Sequence, residues 1–401
     1  MAANHKESNV LDLGGYGVVI YPALENEDSN NEEPFYPKNY ITKVFYRKED
    51  YDDLLRKKKT LRKILGKTNE GSQFETYKKE WHGRNLPKNA LKKIYNEISL
   101  NSNQPVPIHQ YENVQFYPIR MKHLGKSYGS LRHDKKTIQE LRECSIEYLI
   151  KSMQGVFHIL SKLSEKGYLH GDIHSENVMI YHAGNFCEFY VIDYDLLRSF
   201  SDLKKMYTSN YPLYGAPECY HLLSTAIQSN KENDLLGNYI FKVFLHNEYL
   251  KHLYGSLQSF EERVRQTLHS HANQSSVSVE TFDSFLLCLL MLDLLFRLYP
   301  FLFTNNQSTV SEAEEKRLHD VKDILEEGST LIAKGRKTPT QIKEKLDQIL
   351  RGNQTVKVNH KNKVNNTVKV NQKNKNKNSA CSIMGGCYPR RQKRKTNKRR
   401  R

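Results

Sequence analysis

YLHGDIHSENVMI, Tyr168 to Ile180, sets two histidines, an aspartate, a glutamate and an asparagine between apolar residues that predict a buried strand on either side. Polar groups are costly to bury without partners, and a bound cation is one such partner. Sixteen residues after Asn177, the stretch YVIDYDLL (Tyr190 to Leu197) ends a β-branched run at Asp193. If the two apolar runs pair as a hairpin, Asn177 and Asp193 converge on one point, and Asp172 is left facing whatever donates a proton. One carboxylate and one carboxamide are oxygen ligands. That set suits Mg2+, which keeps part of its shell for water and substrate phosphates.

Outward from this cluster, the chain changes character. NVLDLGGYGVVI, Asn9 to Ile20, reads as strand, glycine turn and strand, and YITKVFY, Tyr40 to Tyr46, as a further strand. Between them the acidic stretch Glu25 to Asn39 reads as an exposed insertion. DYDDLLRKKKTLRKIL, Asp50 to Leu65, has Leu54, Leu55, Leu61, Ile64 and Leu65 at helical spacing. Residues 66–103 are polar and carry little periodicity. The GKT at Gly66 to Thr68 is no phosphate-binding loop, because Leu61 stands where that motif needs its first glycine. Val114 to Leu131 returns to strand and turn, and from Thr137 the pattern is mostly helical. A strand-rich first third followed by a helix-rich remainder predicts an α+β chain with two lobes, and a cleft at their seam is where ligands tend to bind.

Composition locates the charge. Of the 62 Lys and Arg, 17 fall in Arg351 to Arg401, which has no Asp or Glu, so residues 1–350 carry 45 basic and 45 acidic side chains. The body is formally neutral and the tail is basic. NQTVKVNHKNKVNNTVKVNQKNKNKN, from Asn353, is low-complexity and is expected to be disordered. Its basic clusters suit nucleic acid or another polyanion, through phosphate neutralisation that weakens with salt. The six cysteines have no zinc-like spacing, which predicts a reducing compartment. The apolar run from Phe285 is broken by Asp293, Arg297 and Pro300, too short to span a membrane; it reads as a buried helix whose Asp293 and Arg297, four apart, can pair.

Taken together, these segments resemble the protein kinase superfamily. HGDIHSEN is similar to its catalytic loop, DYD at Asp193 to Asp195 to its metal-binding DFG, and YGAPE at Tyr214 to Glu218 to the APE that closes its activation segment. DLGGYGVV, Asp12 to Val19, resembles the glycine-rich loop, and YITK puts Lys43 at the phosphate-binding lysine. The resemblance implies a bilobal fold with a small β-rich lobe at residues 9–121, a hinge near Lys122 to Gly125, a helical lobe through residue 350, and the basic tail 351–401. It implies ATP and Mg2+ as ligands and a protein serine or threonine as acceptor. Gly14, Gly15, Gly17 and Val19 would cover the ATP phosphates, Lys43 would hold them, Asn177 and Asp193 would bind the metal, and Asp172 would accept the hydroxyl proton. His170 is expected to pack rather than react. For the acidic helix partner of Lys43, Asp53 is the first choice, ahead of Glu49 and Asp52, and Glu218 is expected to pair with Arg297.

The departures are informative. Asp12 replaces the first loop glycine, and Ile41 stands where a small alanine usually lies over adenine. Gly171 replaces the arginine that receives an activation-loop phosphate, and Asp195 replaces the glycine of DFG. His174 sits where serine/threonine kinases carry a lysine, as in aminoglycoside and choline kinases, which keeps a small-molecule kinase as the alternative. Because imidazole titrates near neutrality, His174 predicts a pH-sensitive rate. A weakly active module tethered by its tail to nucleic acid or a virion is the non-enzymatic alternative. The overall style resembles kinase-like proteins of large double-stranded DNA viruses, implying an intracellular site in host cytoplasm or nucleus, or carriage in the virion.

Overall fold

Alternating apolar and polar residues write the N-terminal strands. In the computed structural model the described residues are 9–14, 17–21, 40–66, 74–76, 81–82, 91–92, 95–96, 114–202, 232–271, 279–332 and 335–365. Gly15, the insertion 25–39, the YGAPE segment 214–218 and residues 366–401 lie outside them. The chain divides into two units, Met1–Asn353 and Gln354–Arg401.

The first elements are β1 (Asn9–Gly14), β2 (Gly17–Tyr21), β3 (Tyr40–Phe45), helix α1 (Lys48–Leu65), β4 (Phe74–Thr76), β5 (Trp81–His82) and β6 (Gln115–Lys122). They build one antiparallel sheet in the order β1-β2-β3-β6-β4, with β5 also on β6. Val18, Ile20, Val44 and Ile119 are fully buried in it, as suits β-branched side chains on a pleated surface. Gly17 opens β2 where a Cβ would fall 2.3 Å from the Val44 carbonyl oxygen, so no larger residue fits. Pro118 has no N–H to give a neighbour. It falls where the far-side partner of β6 changes, between Phe116 opposite Trp81 and Ile119 opposite Thr76.

Helix α1 buries Leu54, Lys58, Leu61 and Leu65, an i, i+4, i+7, i+11 stripe in which Lys58 takes an apolar position. Glu49 and Asp50 in its first turn and Arg62 and Lys63 in its last match the helix dipole, and Gly66 ends it at φ 72°. Leu54 packs with Phe45 and Ile119 in a small cluster on the sheet, whereas Leu61 and Leu65 belong to the larger core. One helix therefore joins two apolar clusters.

Next come β7 (Lys126–Ser127), α2 (Tyr128–Leu131), α3 (Lys135–Leu141), α4 (Ile146–Glu165), β8 (Tyr168–Leu169), β9 (Val178–Ala183), β10 (Phe186–Val191) and β11 (Arg198–Ser199). Ser145 and Asp134 cap α4 and α3 by accepting backbone N–H bonds. Strands β9 and β10 form a hairpin with Val178 opposite Val191, β7 adds to β9, and β8 pairs with β11. The remaining helices are α5 (Glu232–Leu245), α6 (Glu248–Tyr254), α7 (Leu257–His271), α8 (Phe282–Leu298), α9 (Glu312–Gly328) and α10 (Pro339–Asn365). The architecture is mixed α+β, with small antiparallel sheets and a predominantly helical second part.

The apolar run from Phe285 lies inside α8, which is buried on nearly every side, with Phe285, Leu287, Leu292 and Leu295 at its centre. Asp293 and Arg297 pair on it at 3.0 Å. Among the described residues, no helix is long and apolar enough to cross a membrane. Helical backbone runs on across residues 351–365, the first part of the stretch expected to be disordered, and the segment has no proline to break it.

Candidate functional site

The hairpin decides the geometry. With Val178 opposite Val191, the residues just outside it, Asn177 and Ile192, are neighbours, and the Ile192 N–H donates to the Asn177 carbonyl at 2.9 Å. Asp193 follows directly. Its φ of 63° is the one left-handed value on a non-glycine residue among those described, a conformation that a short acidic side chain tolerates better than most.

On the other arm, the Asn177 side-chain nitrogen donates to both the carbonyl and the Oδ2 of Asp172, each at 2.9 Å. An amide whose nitrogen is committed in this way has its oxygen left to act as a ligand. Asp172 also lies 3.6 Å from Nε2 of His174. His170 is fully buried, and burial holds its ring below the usual imidazole pKa, so it is neutral. Its Nε2 lies 3.0 Å from the Ile192 carbonyl and its Nδ1 accepts the Asp172 N–H at 3.3 Å. Those two contacts fix the tautomer with hydrogen on Nε2. His170 thus ties the loop before Asp172 to the strand before Asp193, the packing role expected of it.

Gly171 has φ 77°, and a Cβ there would sit 2.8 Å from the Leu196 carbonyl oxygen. An arginine at this position is excluded by backbone shape as well as chemistry. The N–H groups of His170 and Gly171 point at one buried carboxylate, Asp283 near the start of α8, at 2.6 and 3.1 Å. Burial pushes the Asp283 carboxyl above its usual range, and the two N–H bonds oppose that shift. On the far side, Gly129 N–H donates to the Ser175 carbonyl and Ser127 Oγ donates to Glu176 at 2.5 Å. The loop is held from α8, from α2 and from the hairpin.

The N-terminal sheet supplies the remaining charge. Lys43 on β3 is paired in register with Val19 on β2 and Ile119 on β6. Its ammonium lies 3.9 Å from Asp193 Oδ1, 3.6 Å from Asp195 Oδ2 and 5.2 Å from the centre of the Phe45 ring. Gly14 and Gly17 are opposite each other at the end where β1 leads into β2. The structure therefore brings Lys43 to Asp193, Asn177 to Asp172, and Val19 alongside Lys43.

One expected pairing comes out differently, and a second falls on a residue outside those described. Asp53 is engaged with Arg56 at 3.1 Å and Lys57 at 2.5 Å, and the carboxylates that reach Lys43 are Asp193 and Asp195. The reason is position along α1: Asp53 and Lys57 share one face, and it is Lys57, one turn further on, that meets this loop and donates to the Asp195 carbonyl. Arg297 pairs with Asp293 and, at 3.7 Å, with Glu248; Glu218 is outside the described residues. Asp283 was missed by sequence reasoning, though an acid at the head of an apolar run such as TFDSFLLCLL is itself the signal that a buried partner exists.

Does a divalent cation fit? Asp193 Oδ1 is buried and has no hydrogen-bond partner among the described residues, an acceptor in want of a donor or metal. The donors at hand are oxygens, as Mg2+ requires. Among the described residues, no group of three or more His, Cys, Asp or Glu is arranged to hold a metal by itself, so a cation here needs water and phosphate oxygens to complete its shell. Compared with known proteins, the chain matches no family model and no curated sequence, so the chemistry rests on its own residues.

Proposed function

We propose that this chain is an ATP- and Mg2+-dependent phosphotransferase with a bilobal protein-kinase-like fold, acting on serine or threonine hydroxyls of proteins. The observation that carries the reading is the meeting of Lys43 from the N-terminal sheet with Asp193 at the end of the hairpin, 3.9 Å apart, beside an Asp172 already oriented by Asn177. Phosphoryl transfer needs a positive group, oxygen ligands for a cation and an oriented carboxylate, because the work is positioning and charge compensation, and these residues supply each of them.

In this reading the backbone around Gly14 and Gly17 covers the ATP phosphates, and Lys43 binds them. Asn177 and Asp193 would hold Mg2+, which when bound supplies counter-charge to the phosphate oxygens. Asp172 orients the acceptor hydroxyl and takes its proton, with its carboxylate held by Asn177 Nδ2. The Asp283 carboxylate keeps the loop's backbone in place so that Asp172 does not have to be ordered during each turnover. The basic segment 351–401 fits a polyanionic partner, which salt would displace.

A second reading has its own support. His174 stands 3.6 Å from Asp172, and a histidine beside the proton acceptor, with Gly171 before it, is the feature that suits a small hydroxyl compound as acceptor. Radiolabelled ATP separates the two, with a basic protein as one acceptor and an aminoglycoside or choline as the other. Label is expected on the protein, and strongly reduced labelling in Asp172→Ala and Asp193→Ala. Equal labelling by wild type and both variants would remove the enzymatic reading altogether.

A further inference from the structure

Lys57 lies on α1 between Leu54, which packs on the sheet, and Leu61, which packs into the larger core. Its ammonium pairs with Asp53 at 2.5 Å and donates to the Asp195 carbonyl. The Asp195 carboxylate in turn lies 3.6 Å from Lys43. Charges of alternating sign therefore run from α1 through Asp53, Lys57 and Asp195 to Lys43.

The geometry points to Asp195 as the residue that positions Lys43 for nucleotide phosphates, with Lys57 as the clasp that keeps Asp195 in reach; this deepens the phosphotransferase reading and rests on it. A lysine on a flexible four-carbon stem needs a fixed anion to hold its ammonium at one point. Asp193 and Asp195 both lie within 4 Å of Lys43, and Asp193 is the candidate metal ligand, so its charge is shared once a cation is present. Asp195, two residues on, is then the carboxylate that holds Lys43. Its side chain is 23% exposed, so water screens the pair only in part. Because Lys57 grips the backbone rather than the carboxylate of Asp195, it sets the position of the loop, and the carboxylate faces Lys43 and the neighbouring Asp193 side chain. The arrangement makes α1 contribute a cation where an acid was expected, and the anion comes from the loop.

The test is calorimetric binding of Mg2+ with a non-hydrolysable ATP analogue to the full chain, for wild type, Asp195→Asn, Lys57→Met, Lys57→Arg and the Asp195→Asn/Lys57→Met double variant. Asp195→Asn is expected to weaken binding about tenfold, Lys57→Met to weaken it less, and the double variant no more than Asp195→Asn, as coupled residues do. Lys57→Arg should restore binding. Thermal unfolding without nucleotide, run on each variant, separates a lost anchor from a lost fold, and Lys57→Met tests the clasp should Asp195→Asn fail to fold. Binding unchanged or tighter in a folded Asp195→Asn would mean that Asp195 only repels phosphate, and would overturn the proposal while leaving the phosphotransferase reading intact. A wild-type chain that binds no nucleotide would overturn both.

Discussion

Asp283→Asn is the sharpest test of how the loop is held. The carboxylate accepts the His170 and Gly171 N–H groups at 2.6 and 3.1 Å in a fully buried setting. Asparagine keeps one oxygen and turns its NH2 toward the other N–H. One charge-assisted bond, worth about 1.5–3 kcal/mol, is lost and one buried donor is left unsatisfied, at a further ~1–3 kcal/mol. Relief of a buried charge offsets part of this, since burial already raises the Asp283 carboxyl. The net cost is about 2–4 kcal/mol. Urea slopes rise with chain size, and with one of about 3 kcal/mol per molar the unfolding midpoint should fall by roughly 0.7–1.3 M. Circular dichroism in urea measures that, and phosphate transfer measured without denaturant should fall more than tenfold in the fraction that remains folded. A variant with the wild-type midpoint and rate would refute the claim that this carboxylate organises the loop.

Other outcomes follow from the same coordinates. Gly171→Ala places a Cβ 2.8 Å from the Leu196 carbonyl at φ 77°, and should cost about 1–3 kcal/mol in a denaturant melt and slow transfer. Asp293→Ala removes the buried acceptor of the Tyr128 hydroxyl, the Glu248 N–H and Arg297, and leaves the guanidinium with the more distant Glu248 carboxylate at 3.7 Å, so a loss of about 3 kcal/mol is expected by calorimetry. Burial raises the phenols of Tyr128, Tyr249, Tyr254 and Tyr299, the last to about 12. Phenols of the unfolded chain ionise near pH 10, so stability that is complete below about pH 10 is lost as pH rises toward 12. Tyr299→Phe should therefore lose less stability than wild type between about pH 9 and 11, as followed by thermal melts, and an equal loss would show that this phenol is not involved.

Much of the fold was legible because short-range patterns carried it. Residues 9–20, 40–46 and 54–65 have periodicities that buried strands and an amphipathic helix require, and β2, β3 and α1 lie there. The two apolar runs flanking Asn177 and Asp193 were compatible with a hairpin, and β9 and β10 form one; the apolar run broken by Asp293 and Arg297 implied a helix with an internal pair. What was not legible depends on how elements are rotated against one another. Asp53 and Lys57 share a helix face four residues apart, and no periodicity says which of them meets the loop. Asp283 is separated by more than a hundred residues from the N–H groups it holds. The two-strand far edge on β6 was hidden because β4 and β5 are only three and two residues long.

The β9 and β10 hairpin has a consequence for anyone who wishes to modify this protein. Its turn is two residues, Gly184 and Asn185, closed by Ala183 opposite Phe186. The pairing works as a ruler between the two loop ends. A residue added within either strand would swing every later side chain to the opposite face and carry Asp193 away from Asn177. A peptide tag spliced at the tip would leave that measure untouched, at the expense of the bond from Ser145 N–H to the Asn185 carbonyl and the weaker one from Cys144 Sγ to the Gly184 carbonyl. The tip is thus the natural attachment point for a fluorophore intended to report on the paired strands without disturbing the spacing of Asn177 and Asp193.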